Sequence, residues 1–200
     1  MYIFAKKKPM KLVFATNNIH KLKEVQELMP PEIELLTLKD IGCYEDIEET
    51  ETTLEGNARI KTDHVKQNYG YDCFADDTGL EVEALNGDPG VYSARYAGEE
   101  ATFSDNVEKL LAELKDCDNR KARFRTVVSL HLNEKQYFFE GICEGRIEEE
   151  PSGDKGFGYD PIFKPIDFNE TFAEMDRSTK GEISHRGLAI KKLANFLNTV

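Results

Sequence analysis

Residues 11–31 read KLVFATNNIHKLKEVQELMPP, and this stretch predicts the first unit of the fold. The apolar run Lys11–Ala15 is typical of a short buried strand. The Thr-Asn-Asn segment that follows consists of residue types that cap helix N-termini well. Apolar residues then recur at helical spacing from Ile19, and the proline pair that closes the stretch must end the helix. The opening unit is therefore a strand, a polar turn and a helix.

Downstream of this unit, strands and helices alternate before the chain becomes rich in strands. Further strands are expected at residues 33–38, 71–75, 122–132 and 136–144, and helices at residues 57–67, 104–114 and 186–197. The two longest strands are separated only by Asn133-Glu134-Lys135, which predicts a hairpin. Ser104 is expected to cap the helix that begins there. The pattern predicts an α/β fold with a mixed central sheet and flanking helices.

The composition limits the size of the fold and the class of partner. The chain has 200 residues, of which 40% are hydrophobic and 32% charged, and this length suits one domain. Basic side chains number 26 and acidic ones 38, so the formal net charge is −12. A chain this acidic is poorly suited to gripping the phosphate backbone of a nucleic acid polymer. Since no apolar run approaches the roughly 20 residues that span a bilayer, no membrane partner is expected.

The N-terminal residues and the cysteines bear on the cellular compartment. Residues 1–10 place a short apolar stretch before three lysines, the reverse of the order in a secretory signal. They are expected to form a flexible, exposed leader before a single domain over 11–200. The four cysteines form no C-x-x-C pair, which argues against a zinc knuckle or a thioredoxin-type motif. They are expected to be reduced thiols of a cytoplasmic protein.

The polar turn after the first strand is the first candidate binding feature. Thr16, Asn17 and Asn18 stand at a helix start, where backbone N–H groups and the helix dipole favour anions. Lys21, one turn into the helix, adds a positive charge. The alternative is an ordinary capped helix with a surface lysine, because such helix starts are common.

Two carboxylate pairs form the second feature. Glu48-Glu49 lies in an acidic stretch, and Asp76-Asp77 ends an apolar strand. Carboxylates are the usual protein ligands of Mg²⁺, which takes one or two of them together with substrate phosphates. Because successive strand residues face opposite sides, both aspartates can reach one ion only if the chain turns, as Thr78-Gly79 would allow. The alternative is a solvated acidic loop and a polar strand end.

Two further segments lie nearer the C-terminus. In GFGYDP, residues 156–161, glycines flank an aromatic ring, so the backbone can approach a flat ligand and Phe157 can stack on it. The alternative is a tight turn with a core aromatic. Lys180 and the segment Ser184-His185-Arg186 group two cations, a titratable ring and a helix cap. The alternative there is a serine-capped helix with surface charges.

In their order along the chain, these segments resemble the inosine triphosphate pyrophosphatase family, which hydrolyses non-standard purine nucleoside triphosphates. The resemblance runs from about residue 11 to residue 197. It is carried by FATNNIHKLKEV (14–25), EETETTLEGNARIK (48–61), ADDTGLEVEALNGDPGVYSARYAG (75–98), GFGYDPIF (156–163) and AEMDRSTKGEISHRGLAI (173–190). Two departures are small: Thr78 stands where many members have serine, and Gly56-Asn57 stands where many have Glu-Asn.

The resemblance implies Mg²⁺-dependent hydrolysis of ITP, dITP or XTP to the monophosphate and pyrophosphate. It also implies two lobes around a deep cleft, and usually a homodimer. A related pyrophosphatase that prefers modified pyrimidines should lack the GFGYD and SHR segments. A nucleotide-binding module without turnover should lose Asp77 or Glu48, and both are present.

The resemblance also implies a role for each matching residue. The triphosphate would be held by Thr16, Asn17, Asn18, Ile19, His20 and Lys21, with further support from Lys61. Mg²⁺ would be bound by Glu48 and Asp77. Asp77 would also activate water, with Asp76 as the rival for that role. The substrate would touch Thr78, and the base pocket would be lined by Phe157, Gly158, Tyr159, Asp160, Lys180, His185 and Arg186. Arg95 is a weaker candidate for the cleft.

Selection of the base has a direct physical account. Inosine and xanthosine present an oxygen at C6, where adenine presents an amino group. Donors such as Lys180 and Arg186, aimed at that oxygen, would be left unpaired with adenine, and buried unpaired donors are costly.

Overall fold

The first strand, turn and helix form as the sequence predicts, within a computed structural model that describes residues 9–200. Strand β1 spans Met10–Phe14 and helix α1 spans Ile19–Leu28. Asn18 caps α1, because its side chain accepts hydrogen bonds from the backbone N–H groups of His20 and Lys21. The expected leader lies outside the described residues as far as residue 8, and Met10 already belongs to the sheet.

The remaining elements form one α/β architecture. The strands are β2 (Ile33–Thr37), β3 (Cys73–Val82), β4 (Pro89–Gly90), β5 (Lys121–Leu132), β6 (Lys135–Ile147) and β7 (Phe163–Pro165). The helices are α2 (Leu54–Tyr69), α3 (Phe103–Glu113), α4 (Arg177–Ile183) and α5 (His185–Leu197). Three short 3-10 turns span Lys39–Ile41, Glu83–Leu85 and Ser93–Arg95. In the described part of the chain, no helix is long and apolar enough to cross a membrane.

The sheet is mixed, as predicted. Its strand order is β2-β1-β3-β5-β6-β7, with β4 paired to β3 away from this path. Strand β1 runs parallel to β2 and β3, whereas β3, β5, β6 and β7 pair antiparallel. The β5–β6 hairpin is confirmed, and its turn residues Asn133 and Glu134 both have positive φ.

Strand β3 continues where the sequence predicted a turn. Thr78-Gly79 stays in the sheet because β5 pairs with β3 without a break from Cys73 to Val82. Gly79 serves packing instead: a Cβ there would lie 2.6 Å from the backbone oxygen of Gly90. Strand β1 pairs with β3 only as far as Phe14 and Phe74, so β3 runs on past the carboxyl end of β1. This is the kind of sheet position at which α/β proteins bind ligands.

Helices cover both faces of the sheet. On β5, Ser129 faces α2 and hydrogen-bonds to Thr62, whereas its neighbour Val128 packs into a cluster with Ile190 and Leu193 of α5. Alternate strand residues face opposite sides, so α2 and α5 lie on opposite faces.

Two other local predictions need correction. Thr102, and not Ser104 two residues later, caps α3, because Thr102 and Asp105 form a reciprocal capping box. Helix α4 and strand β7 have seven and three residues, too short for a clear hydrophobic period, and were not predicted.

Candidate active site

A cavity of about 440 Å³ opens at the carboxyl end of β1, beside the part of β3 that runs past it. Most of the predicted site residues line it: Thr16, Asn17, Asn18, Lys21, Lys61, Asp77, Thr78, Arg95, Phe157, Gly158, Tyr159, Asp160, Lys180, His185 and Arg186. Four predicted residues do not line it: Ile19, His20, Glu48 and Asp76. The fold therefore brings together segments that are far apart in the sequence.

The polar turn forms one wall of the cavity, and its side chains are already engaged. Asn18 Oδ1 accepts from the N–H of His20 at 2.9 Å, and Thr16 Oγ1 accepts from the N–H of Asn18 at 3.1 Å. Asn17 Nδ2 donates to Asp46 Oδ1 at 2.9 Å, which joins the turn to the acidic loop. The side chains thus fix the turn, and Lys21 is the part of it that brings positive charge.

Asp76 lies on the α5 side of β3 and is held by cations. Its Oδ2 lies 3.2 Å from Lys21 Nζ and 3.1 Å from Arg186 Nε, and the Thr78 hydroxyl donates to the same oxygen. Burial alone would raise the pKa of Asp76, but the charges of Lys21, Arg186 and Lys61 hold it well below the ordinary value. Asp76 is therefore a fixed anion that orders the cations around it.

Asp77, the next residue, points to the α2 side and has a single, more distant cation beside it in the described chain, although Asp76 Oδ1, like Asp77 Oδ2, is buried without a hydrogen-bond partner. Asp77 Oδ1 lies 3.7 Å from Lys61 Nζ, and its Oδ2 is buried with no hydrogen-bond partner in the described chain. Burial raises the pKa of Asp77, and the charge of Lys61 only partly opposes that rise. A buried carboxylate oxygen without a partner is a site where a proton or a cation can bind.

Of the two adjacent glutamates, Glu49 faces the cavity and the predicted ligand Glu48 does not. Glu48 is exposed and does not line the cavity, whereas Glu49 lines it and its Oε1 accepts from Lys61 Nζ at 2.8 Å. Lys61 also donates to the backbone oxygen of Asp76 at 2.6 Å. Glu49 and Asp77 are thus both close to Lys61 at the cavity wall. Two carboxylates and open space form a donor set that suits Mg²⁺, a hard cation with few protein ligands.

Aromatic rings line one end of the cavity, beside the first turn of α1. The Phe157 ring stacks on His20, with centroids 5.1 Å apart, and lies 5.9 Å from the ring of Phe103. Lys180 Nζ and the guanidinium of Arg186 lie 5.5 and 5.6 Å from the centre of the Phe157 ring. This end offers a flat apolar face with two cations beside it, which suits a ring that carries hydrogen-bond acceptors.

Glu24 fixes those two cations, and sequence reasoning did not identify it. One carboxylate oxygen accepts from Lys180 Nζ at 2.7 Å and the other from Arg186 at 2.6 Å. Burial alone would raise the pKa of Glu24, but Arg186 and Lys180 hold it below the ordinary value. The signal in the sequence is spacing, since Glu24 stands three residues after Lys21 on one helix face.

Asp160 holds the glycine-rich loop in place. It lies 2.7 Å from Lys180 Nζ and accepts from the N–H of Phe157 at 2.8 Å. Burial raises the pKa of Asp160, and the charge of Lys180 opposes that rise. Gly156 has a φ of +75°, and a Cβ there would collide with the Asp160 carboxylate, so the loop requires glycine.

Three further residues line the cavity, and they are held to different degrees. His185 stacks on Phe124 at 4.4 Å, and burial together with the charges of Arg186 and Lys180 lowers its pKa well below the ordinary value. It is therefore neutral at physiological pH. The Tyr159 hydroxyl donates to the backbone oxygen of Ser93 at 3.0 Å. Arg95 lines the cavity and pairs with exposed Glu99 at 3.6 Å, so it is loosely held.

Sequence comparison identifies the family and several relatives of this chain. Residues 12–196 match the sequence model described as the Ham1 family. A dITP/XTP pyrophosphatase of Christiangramia forsetii is 59% identical, with 94% of this chain and 100% of the relative covered. A dITP/XTP pyrophosphatase of Flavobacterium johnsoniae is 57% identical, with 94% and 98% covered.

Solved structures agree with the sequence comparison. A HAM1 protein from Coxiella burnetii superimposes with a TM-score of 0.88 at 41% identity, over 96% of this chain and 100% of that chain. The Ham1 protein of Staphylococcus aureus superimposes with a TM-score of 0.86 at 38% identity, over 94% and 98% of the two chains.

Proposed function

Because the chain belongs to the Ham1 family, we propose that it hydrolyses dITP, XTP and related non-standard purine nucleoside triphosphates to the monophosphate and pyrophosphate. One observation carries the proposal. Four buried or nearly buried cations, Lys21, Lys61, Lys180 and Arg186, line one cavity in a chain whose net charge is −12. These lysine and arginine groups, held in place by carboxylates, can donate charge-assisted hydrogen bonds to phosphate oxygens and to the acceptors of a base.

We propose Glu49 and Asp77 as the residues that would hold Mg²⁺, with Glu49 in place of the predicted Glu48. The fit rests on the partnerless Oδ2 of Asp77 and on Glu49 beside it at Lys61. When bound, Mg²⁺ supplies positive charge that neutralises the phosphate oxygens and stabilises the charge of the transition state.

The side chains around the proposed metal site have different roles in the hydrolysis. Lys21 and Lys61 attract the triphosphate and stabilise the negative charge on its oxygens during attack. Asp77 accepts a proton from the attacking water as the new oxygen–phosphorus bond forms and the bond between the α and β phosphates breaks. Asp76 is the weaker candidate for this base, because Lys21 and Arg186 already occupy its Oδ2.

Base selection follows from the rings and cations at the other end of the cavity. The purine would lie against Phe157, with the C6 oxygen directed to Lys180 or Arg186. Glu24 and Asp160 accept from both cations and hold them in place, so an adenine amino group at the position of the C6 oxygen would face fixed N–H donors. Mismatch of buried polar groups can discriminate by about 10⁴-fold.

The proposals on assembly and location rest on the family resemblance and on the cysteines. A two-lobed single domain over 11–200 and a homodimer follow from the family resemblance alone. A cytoplasmic location is supported by four cysteines that form no disulfide.

The reaction type is tested by ³¹P NMR of dITP turnover in Mg²⁺ with the full chain. We expect pyrophosphate and the monophosphate to appear together from the first time point, and no turnover by Asp77→Asn. Release of orthophosphate with a nucleoside diphosphate intermediate would show a stepwise phosphatase and overturn the proposal.

A further inference from the structure

A second cluster of metal-ligating side chains lies outside the active-site cavity. Cys43, Glu45 and His64 each place a ligand atom within 4.8 Å of the others, and none of the three lines the cavity. His64 Nε2 lies 3.0 Å from Glu45 Oε1, and the Tyr69 hydroxyl donates to the same oxygen at 2.7 Å. We propose that Cys43, Glu45 and His64 bind a transition-metal ion of the Zn²⁺ class.

The chemistry of the three donors decides which ion fits. A thiolate, an imidazole and a carboxylate together favour Zn²⁺ or Co²⁺ over Mg²⁺, which prefers oxygen ligands only. Zinc ligands lie about 2.0–2.3 Å from the ion, so neighbouring ligand atoms in a tetrahedron are about 3–4 Å apart. The cluster needs to tighten by about 1 Å to reach that geometry. Three protein ligands leave the fourth position for water.

The ligands are held by different parts of the fold. Cys43 is 1% exposed, its N–H donates to the oxygen of Leu38 at 3.0 Å, and it packs in a small apolar cluster that includes Val65 of α2. His64 lies in the middle of α2, and Asn68 Nδ2 lies 3.3 Å from its Nδ1. A metal bound at Nε2 leaves the ring proton on Nδ1, so the Asn68 amide would have to turn its oxygen towards Nδ1 to accept that proton.

Glu45 is ready to act as a ligand. The hydrogen bond from the Tyr69 hydroxyl holds its Oε1 beside His64 Nε2. In the described structure Glu45 is shared between two donors, and an ion would take the place of the His64 contact. The metal would then link the acidic loop to α2 directly.

An ion bound between Glu45 and α2 would affect the loop that contacts the active site. The same loop carries Asp46, which accepts from Asn17, and Glu49, which accepts from Lys61. His64 follows Lys61 by one helical turn on α2. A bound ion would therefore fix the loop that brings Glu49 to the active site. The inference does not depend on the proposed hydrolysis, and either can fail alone.

Co²⁺ is the probe that tests the site, because a cobalt–thiolate bond gives a charge-transfer band in the near ultraviolet. The full chain is titrated with CoCl₂ in excess Mg²⁺, which keeps oxygen-only sites occupied. We expect the band in the wild type, no band in Cys43→Ser, and at least about 10-fold weaker cobalt binding in His64→Gln and Glu45→Gln. Cys143→Ser is the matched control, since Cys143 is a buried thiol of β6 outside the cluster, and it should keep the band.

His64→Gln keeps the test decisive if Cys43→Ser fails to fold, because the His64 side chain is partly exposed. A thermal melt adds a second readout: Zn²⁺ should raise the Tm of the wild type and of Cys143→Ser, but not that of His64→Gln. Absence of the band in the folded wild type, or unchanged cobalt affinity in His64→Gln, would overturn the proposal.

Discussion

Asp76 and Asp77 are adjacent in the sequence but face opposite sides of β3, and their surroundings give them opposite properties. Each has one buried carboxylate oxygen without a hydrogen-bond partner in the described chain, but the other oxygen of Asp76 lies within 3.2 Å of two cations, whereas that of Asp77 lies 3.7 Å from one. The sequence showed two carboxylates and could not separate them, because the difference comes from residues of α1, α2 and α5.

The two aspartates should therefore respond in opposite ways to the same substitution. Asp76→Asn leaves Lys21 and Arg186 without their buried counter-charge and should lower the free energy of unfolding by about 3–5 kcal/mol. Asp77→Asn removes a poorly compensated buried charge and should raise that free energy by about 1 kcal/mol while abolishing turnover. Urea unfolding at pH 7 in EDTA measures both. Equal destabilisation by the two variants would contradict the assignment.

Glu48 and Glu49 form a matched pair for the metal proposal. Glu49→Gln should weaken activation by Mg²⁺ at least about 10-fold, because it removes a proposed ligand and a partner of Lys61. Glu48→Gln changes an exposed side chain and should leave kcat/KM within about twofold. Initial rates on dITP across a Mg²⁺ titration give the comparison. The reverse ranking of the two variants would restore Glu48 as the ligand.

At the scale of elements, Glu24 ties α1 to α4 and α5 through Lys180 and Arg186. The pKa of Glu24 is lower in the folded protein than in the unfolded chain. The contribution of Glu24 to the free energy of unfolding is therefore complete above about pH 4.3, and it is lost as the pH falls through the lowered pKa. Glu24→Gln should lower the free energy of unfolding by about 2–3 kcal/mol at pH 7. This is less than the loss on breaking a fully buried ion pair, because the Glu24 side chain is partly exposed.

The pH dependence separates this explanation from a simple packing defect. The difference in unfolding free energy between wild type and Glu24→Gln should be constant near neutral pH and should shrink below about pH 4. Urea unfolding at a series of pH values measures it. A difference that stays the same at pH 3 and pH 7 would show that charge is not its origin.

Helix α5 can approach the sheet closely because residue 141 of β6 has no side chain. A Cβ there would lie 2.6 Å from the backbone nitrogen of Ala189 and would also collide with the backbone oxygen of His185. Gly141→Ala should lower the free energy of unfolding by about 2–3 kcal/mol. It should also raise the KM for dITP, because displacement of α5 would move Arg186. Gly181→Ala on α4 meets only the flexible end of Leu28 at 3.2 Å and is the control, expected within about 0.5 kcal/mol. Equal effects on stability would refute this close approach.

The sequence predicted the helices and strands that have a strong hydrophobic periodicity. It missed features that depend on contacts with residues distant in the sequence. The alternation of strands and helices, the β5–β6 hairpin and the first unit were all readable from hydrophobic spacing. The continuation of β3 through Gly79 was not, because pairing with β5 overrides local turn chemistry. In the site, cationic residues were found from their segments, whereas Glu24 became visible only through its contacts in space.

At the scale of the whole molecule, the net charge of −12 and the function are compatible because charge is unevenly distributed. Five cations line the cavity, four of them buried or nearly buried, while seven carboxylates lie between Asp40 and Glu55. Within the cavity each of those four cations has a carboxylate partner, so the positive charge is held in place rather than solvated. A free nucleotide can enter such a site, whereas a long duplex would meet the acidic surface.

The central claim is that fixed donors at the ring end of the cavity select a purine by its C6 oxygen. The most direct test is kcat/KM for dITP, XTP and dATP, measured as pyrophosphate release in Mg²⁺. We predict values for dITP and XTP that exceed the value for dATP by about 10⁴-fold. Equal values for dITP and dATP would contradict the account.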